Sequence, residues 1–341
     1  MNETMRAVVA RNYGSPAVLS VENMPIPRPG PGQIQVRVEA AAINGSDLEL
    51  FSGGMTEMAP LEFPHVPGSD LAGTVTEVGE GVTRFAVGDA VFGTGFPRST
   101  APFATIFSSP VSLTTGAMAE YAVLEADAPA LAHRPSTVDA EWAAALPISG
   151  LTALPLLREG QVQPGETVLV VGATGGVGSV VVPLLVAAKA HVIATAGAAD
   201  EDHVRGLGAH EVIDYLTTDV VAEVSRRYPD GVDALVNVAL PADRLIDVSR
   251  VVRRGGRVMN ATYPAPEPGT HERDDLAMDT VYSAALPGDL NDLAARASDG
   301  ALPGAIGRRY RLEDGPRAYR EFVEEHTLGK LIVVMDTAST A

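Results

Sequence analysis

The chain has 341 residues, 46% of them apolar, enough for one large domain or two ordinary ones with substantial cores. A formal charge of −18 repels polyanions, so neither nucleic acid nor an anionic membrane surface is an expected partner. There is no cysteine, which removes disulfides, thiol nucleophiles and cysteine-ligated zinc together.

The first residues, Met1 to Arg6, have no apolar core of a signal peptide, and the chain is expected to be cytoplasmic. Residues 6–127 read as β-rich. Residues 7–10 and 18–22 are short strands separated by Gly14-Ser-Pro16. Ile34, Val36 and Val38 alternate with Gln35, Arg37 and Glu39, the period of a half-buried strand. Residues 73–78, 89–92 and 118–123 continue the pattern, which suits a small barrel or sandwich. Residues 93–116 form a long irregular segment with Phe96, Phe103 and Phe107, expected to pack over a pocket.

From Ala128 the period changes. Residues 137–146 and the start of a second segment at Ser149 read as helices. Then strands at 167–171, 191–196, 211–213, 232–238 and 257–261 alternate with helices at 180–189, 200–207, 220–227 and 243–252. Such alternation predicts an α/β, doubly wound parallel sheet. Residues 278–284 offer one more strand, apolar enough to pair across a dimer axis. Helices at 289–298 and 315–325 and a strand at 330–335 close the chain. The uncharged stretch 167–188 is too glycine-broken for a membrane span and reads as a buried βα unit.

The first of these βα units carries the clearest chemistry. Gly172-Ala-Thr-Gly-Gly-Val-Gly178 follows a β-branched run and precedes an apolar helix. Strand, glycine turn and helix together present free backbone N–H groups to a phosphate. The spacing is one residue longer than G-x-G-x-x-G, so the motif alone also fits a turn that only packs helix on sheet.

Taken together, several runs resemble the zinc-free quinone oxidoreductase branch of the medium-chain dehydrogenase/reductase superfamily. They are Ala40-Ala-Ala-Ile-Asn-Gly-Ser-Asp47, Pro67-Gly-Ser-Asp-Leu-Ala-Gly-Thr-Val-Thr-Glu-Val-Gly79, Val87-Gly-Asp-Ala-Val-Phe-Gly93, Gly116-Ala-Met-Ala-Glu-Tyr121, Ala145-Leu-Pro-Ile-Ser-Gly-Leu-Thr-Ala153, the glycine turn and Gly329-Lys330. The resemblance implies a GroES-like catalytic domain over 1–127 and 287–341, with a Rossmann dinucleotide-binding domain over 128–286. It implies a nucleotide held in the cleft between them, and a homodimer.

On this resemblance Gly175, Gly176, Val177 and Gly178 hold the pyrophosphate. Thr195, Ala196 and Gly197 end the second strand where NAD enzymes place a carboxylate for the ribose. A small neutral end favours NADPH, although Asp200, Glu201 and Asp202 follow where relatives often carry a lysine. Tyr215 matches a tyrosine beside the 2′-phosphate, or is simply a strand-end aromatic. Thr152 matches a cofactor contact or packs its helix. Asn237 and Asn260 lie at the strand ends where parallel sheets bind ligands.

Zinc relatives use a cysteine and Gly-His-Glu. Here Asn44 and Gly68-Ser69-Asp70 stand in those places, so no metal is expected, and His65 reads as structural. Without a Lewis acid, a quinone is the natural hydride acceptor, because reduction yields an aromatic hydroquinone anion that hydrogen bonds stabilise. Asn44 is the candidate donor, and Asp47 orients the site or relays a proton. Both residues equally suit caps of a turn or helix. Glu49 replaces a site tyrosine found in some relatives. Reduction of an α,β-unsaturated carbonyl (an enone) and a non-catalytic NADPH-binding module are the alternatives.

Overall fold

The computed structural model describes residues 3–57, 59–95, 116–267 and 273–335. Most of the 93–116 segment, and part of the loop near Tyr263, therefore lie outside the described residues. In chain order the strands are β1 (Thr4–Ala10), β2 (Leu19–Pro25), β3 (Gln33–Ala42), β4 (Asp70–Val78), β5 (Ala90–Thr94), β6 (Tyr121–Glu125), β7 (Leu131–His133), β8 (Thr167–Val171), β9 (His191–Ala196), β10 (Glu211–Asp214), β11 (Val232–Asn237), β12 (Val252–Asn260), β13 (Ala277–Thr280), β14 (Ile306–Arg311) and β15 (Lys330–Val334). The helices are α1 (Gly45–Ser52), α2 (Ala140–Ala145), α3 (Pro147–Gly160), α4 (Gly178–Ala187), α5 (Glu201–Gly206), α6 (Val220–Arg227), α7 (Ala242–Val248), α8 (Asp289–Ser298) and α9 (Gly315–Glu324).

The chain divides into two compact units. The first takes in residues 1–148, 284–300 and 304–341, and the second residues 149–283 with 301–303. In the first, β1 and β2 pair antiparallel, and a seven-stranded sheet runs β14-β15-β3-β4-β5-β7, with β6 also on β3. Its core gathers Met5, Ile34, Phe51, Leu71, Leu124, Leu131 and Tyr319. The expected alternation in β3 breaks at Gln35, which is buried. Its Nε2 donates to the Pro27 carbonyl at 2.6 Å and its Oε1 accepts from Thr76 Oγ1 at 2.6 Å. A register shift between Gln35 and Val36 accompanies this inward turn. Helix α1 stops at Gly53, whose φ of +95° suits a left-handed C-cap. Helix α2 begins at Asp139, whose carboxylate accepts from the Trp142 amide at 2.8 Å.

In the second unit six strands run in the order β10-β9-β8-β11-β12-β13, every pair parallel. Counted from β8, this is the 3-2-1-4-5-6 order of a doubly wound dinucleotide-binding sheet, with its switch point between β8 and β11. Leu169, Ile193, Ile213, Leu235 and Val258 form its core.

Several elements differ from expectation. The helix predicted to 252 ends at Val248, and Val252 already opens β12, because Gly255 and Gly256 continue the strand rather than break it. The last strand of the sheet is only four residues, half exposed at its edge. β14 was not expected, since Ile-Gly-Arg-Arg-Tyr-Arg has no apolar alternation. It is an edge strand, where charged side chains discourage further pairing. Among the described residues, no helix is long and apolar enough to cross a membrane.

Candidate active site

In the second unit the glycine turn sits between β8 and α4. Gly172 has φ +90°, and a Cβ there would lie 2.7 Å from Ala239 Cβ. A Cβ on Gly178 would lie 2.1 Å from the Gly172 carbonyl oxygen and 2.6 Å from Ala173 Cα. These two glycines are required by the protein's own packing. Gly175 is different. A Cβ there would meet only the Gly172 carbonyl oxygen, at 3.7 Å, and its φ is not left-handed. Among the described residues nothing demands glycine at 175, where a Cβ would meet only that one atom. Val177 caps α4 without a side-chain acceptor, so no cap competes for the amides at the helix front. A dinucleotide diphosphate fits this cradle.

The other predicted cofactor residues fall in varied settings. Thr195 is buried and turned inward. Its Oγ1 accepts from the Gly172 amide at 3.4 Å and donates to the Val170 carbonyl at 3.5 Å, bracing the turn from behind. Ala196 and Gly197 are buried at the strand end. The Asp200 amide donates to the Gly197 carbonyl at 2.9 Å, and its Oδ2 would be 3.8 Å from a Cβ on Gly197. A carboxylate thus leans over the strand end that the sequence reads as neutral. Tyr215, just past β10, is 44% exposed, whereas Thr152 is buried in α3.

Asn237 and Asn260 are buried and largely spent on each other and on the strand-end turns. Asn237 Nδ2 donates to Asn260 Oδ1 at 2.8 Å and to the Leu240 carbonyl at 2.9 Å, while its Oδ1 accepts from the Leu240 amide at 2.9 Å. Asn260 Nδ2 donates to the Thr262 carbonyl at 3.1 Å. Their side chains shape the ends of β11 and β12.

In the first unit, the C-terminal end of β3, the start of α1, the start of β4 and the start of β15 bring five polar side chains together in the interior. Asn44 and Asp47 stand at the N-cap and third position of α1, and the Asn44 amide donates to Asp47 Oδ2 at 3.0 Å. The capping role read from sequence is therefore present in the fold. Asn44 Nδ2 donates to Asp70 Oδ2 at 3.1 Å and reaches the Ala42 carbonyl only at 3.5 Å. Asp70 also accepts from the Ile148 amide at 3.1 and 3.2 Å. Ser69 Oγ donates to Asp47 Oδ1 at 2.5 Å. Lys330 Nζ donates to Asn44 Oδ1 and lies 3.6 Å from Asp70 Oδ2.

All five are buried. Burial is the largest influence on the Asp47 carboxyl, raising it to about 7 with help from the neighbouring Asp70 charge, against the Ser69 and Asn44 hydrogen bonds and Lys330. Burial likewise raises Asp70, opposed by Lys330, Asn44 and Ile148, and lowers Lys330, opposed by the two carboxylates. An isolated buried charge costs several kcal/mol, so the ammonium and carboxylates stay only because they face one another. His65, apart from this group, is 7% exposed and lowered to about 4 by desolvation; its backbone pairs with Ala10.

This is not a zinc donor set. The oxygen of Asn44 receives an ammonium, the Ser69 hydroxyl is spent on Asp47, and no imidazole or thiolate joins them. Among the described residues, no three His, Asp or Glu side chains are grouped to hold a metal. Lys330 and Ser69 were not singled out from the sequence as site residues. The one available signal was a charge set directly at the head of an apolar strand, Lys330 before Leu-Ile-Val-Val and Asp70 before Leu-Ala-Gly-Thr-Val.

Residues 30–135 match the family model of the alcohol dehydrogenase GroES-like domain, and residues 207–333 that of zinc-binding dehydrogenase. The chain is 30% identical to the chloroplastic quinone-oxidoreductase QR1 of Triphysaria versicolor, over 96% of this chain and 98% of that one. It superposes on the quinone oxidoreductase of Coxiella burnetii with a TM-score of 0.84, covering 97% and 99% of the two chains at 24% identity, a likeness of fold. A solved structure described as an NAD-dependent alcohol dehydrogenase matches with a TM-score of 0.82 at 31% identity, over 97% of this chain and 99% of that one.

Proposed function

Because the chain belongs to the quinone oxidoreductase branch of the medium-chain dehydrogenase/reductase superfamily, we propose that it reduces a quinone with NADPH and without zinc. The observation that carries this reading is the open cradle at Gly175, which the fold leaves without needing to. When bound, a reduced nicotinamide dinucleotide would supply the hydride. The chain's own part is to seat the diphosphate on the amides of residues 176–178, beside the Gly175 backbone whose own N–H donates to the Gly172 carbonyl at 3.3 Å, and to stabilise by hydrogen bonding the charge that reduction places on the acceptor oxygen.

Asn44 serves that second task. One Nδ2 hydrogen is held by Asp70, while the other, fixed in direction by the amide plane, makes only the 3.5 Å approach to Ala42 and is left to an acceptor placed in its path. Asp47, raised to about 7, holds a proton near neutrality beside the Ser69 hydroxyl. Asn44 and Asp47 thus act both as caps of α1 and as site residues.

NADPH over NADH rests on Thr195-Ala-Gly197, which carries no acid; Asp200 argues the other way. We also propose a homodimer through the half-exposed edge at β13, where Tyr282 and Leu286 are exposed.

Fluorescence titration with NADPH and NADH, followed by steady-state assays over quinone and enone panels, tests the whole reading. Saturable NADPH binding and turnover with quinones support it. Preference for enones makes the chain a double-bond reductase. Binding without turnover makes it a non-catalytic module, and tighter NADH binding overturns the cofactor assignment.

A further inference from the structure

Lys330 is the charged group that the reading above leaves without a task. It heads β15 and is 6% exposed, so its ammonium is out of water and must be fully accounted for by its neighbours. From β4 it faces Asp70, and from the start of α1 it faces Asn44 and the charge of Asp47; Tyr319 of α9 is the further titratable group near Asp47.

Between Lys330 and Asp70 the Asn44 amide is gripped at both ends. Its oxygen accepts from the ammonium, and its nitrogen donates to the carboxylate at 3.1 Å. An ammonium has no acceptor and an ionised carboxylate has no donor, so the two charges dictate which way the amide points. A flipped amide would set its N–H groups against the ammonium and its oxygen against Asp70. A charge-assisted hydrogen bond at the amide oxygen also polarises the group and makes its N–H a stronger donor. The hydrogen strengthened in this way is the second one on Nδ2, which meets Ala42 only at 3.5 Å.

We infer that Lys330 is a positioning residue for the reduction, orienting and polarising the Asn44 amide so that its second Nδ2 hydrogen is presented to the acceptor oxygen as charge develops there. The inference rests on the proposed role of Asn44. Lys330 itself does not touch the acceptor. Its effect grows with the charge on that oxygen, so it acts on kcat more than on KM.

The test uses the full chain labelled with 15N-asparagine, with the Asn44 side-chain signal assigned by its loss in Asn44→Ser. Lys330→Met keeps the aliphatic stem and removes the charge; Lys330→Arg restores a charge. The Asn44 Nδ2 protons should shift in Lys330→Met and return towards the wild-type position in Lys330→Arg. With a quinone acceptor, kcat should fall roughly tenfold or more in Lys330→Met with KM little changed, less than the about 10²–10³ typical of deleting an oxyanion donor itself. Lys330→Arg should recover part of that loss. An unmoved Asn44 signal, or a loss confined to KM, overturns the inference.

The NMR arm needs no acceptor. If the wild-type protein reduces no quinone, the proposed function fails while the hold of Lys330 on Asn44 is still decided. Should Lys330→Met not fold, the wild-type protein is titrated to alkaline pH. The Asn44 signal and kcat should then change with one common midpoint, and a change in kcat without the amide signal overturns the inference.

Discussion

Ser69 Oγ donates to Asp47 Oδ1 at 2.5 Å, inside the protein and away from solvent. With the Asn44 amide on the other oxygen, Asp47 has partners for its charged form, yet burial dominates and its carboxyl is raised to about 7. The folded protein therefore binds this proton more tightly than the unfolded chain, whose carboxyl has the ordinary value of 3.8. The stability this contributes is complete below the unfolded value, falls as pH rises, and is lost above about 7. Asp47→Asn cannot ionise and should lack this fall. Its unfolding free energy from urea titration should gain on wild type from about pH 4 to about pH 7, by up to about 1.4 kcal/mol per pH unit, and level off above. Parallel curves would show that Asp47 is not protonated in the folded state.

Tyr319 is fully buried, its ring edge-on to Phe51 at 5.3 Å, and its hydroxyl has no hydrogen-bond partner among the described residues. A buried unsatisfied hydroxyl costs about 1–3 kcal/mol. Tyr319→Phe keeps the ring contact and removes the penalty, so it should stabilise the first unit by about 1 kcal/mol. Calorimetry should register a rise in Tm of about 2–4 °C. A drop would mean that the hydroxyl is bridged by an internal water.

Alanine at two glycines of the same turn should have opposite consequences. At Gly178 the new methyl would sit 2.1 Å from a backbone oxygen, so Gly178→Ala should lower Tm and yield poorly folded protein. At Gly175 it meets only one atom, at 3.7 Å. Gly175→Ala should melt like wild type yet bind reduced cofactor at least about tenfold more weakly, about 1.4 kcal/mol. Unchanged binding in Gly175→Ala would remove the observation on which the proposed function stands.

Asp200 leans over Gly197 at the end of β9. A carboxylate there repels a 2′-phosphate and welcomes a ribose hydroxyl. Asp200→Asn should raise the kcat/KM ratio of NADPH to NADH by about tenfold, equal to about 1.4 kcal/mol. A ratio that does not move would place Asp200 away from the adenosine ribose.

The parallel sheet was legible because its strands are short β-branched runs set between amphipathic or apolar helices, and α6 and α8 fall where their periodicity placed them. β14 was not, because an edge strand needs only one paired side and this one has no apolar rhythm. The turn at 172–178 was legible as a turn because its packing leaves no room for a Cβ at Gly172 or Gly178. Asn44 and Asp47 were visible as a capping pair at the head of a helix. Their link to Lys330 was not, since 286 positions separate Asn44 from its partner and only the pairing of β15 with β3 brings them together. Nor does spacing tell that Thr195 turns inward to brace the glycine turn.

The pairing of β15 with β3 also fixes an order of events. On the ribosome, β3 and Asp70 emerge early and Lys330 nearly three hundred residues later, after the whole six-stranded sheet has been made. The nascent chain can complete its parallel sheet first, while the earlier segment waits with an open strand edge and a carboxylate lacking its cation. Only when the closing strand slides in beside Ala40, Ala41 and Ala42 does that segment gain both its last backbone ladder and its charge balance.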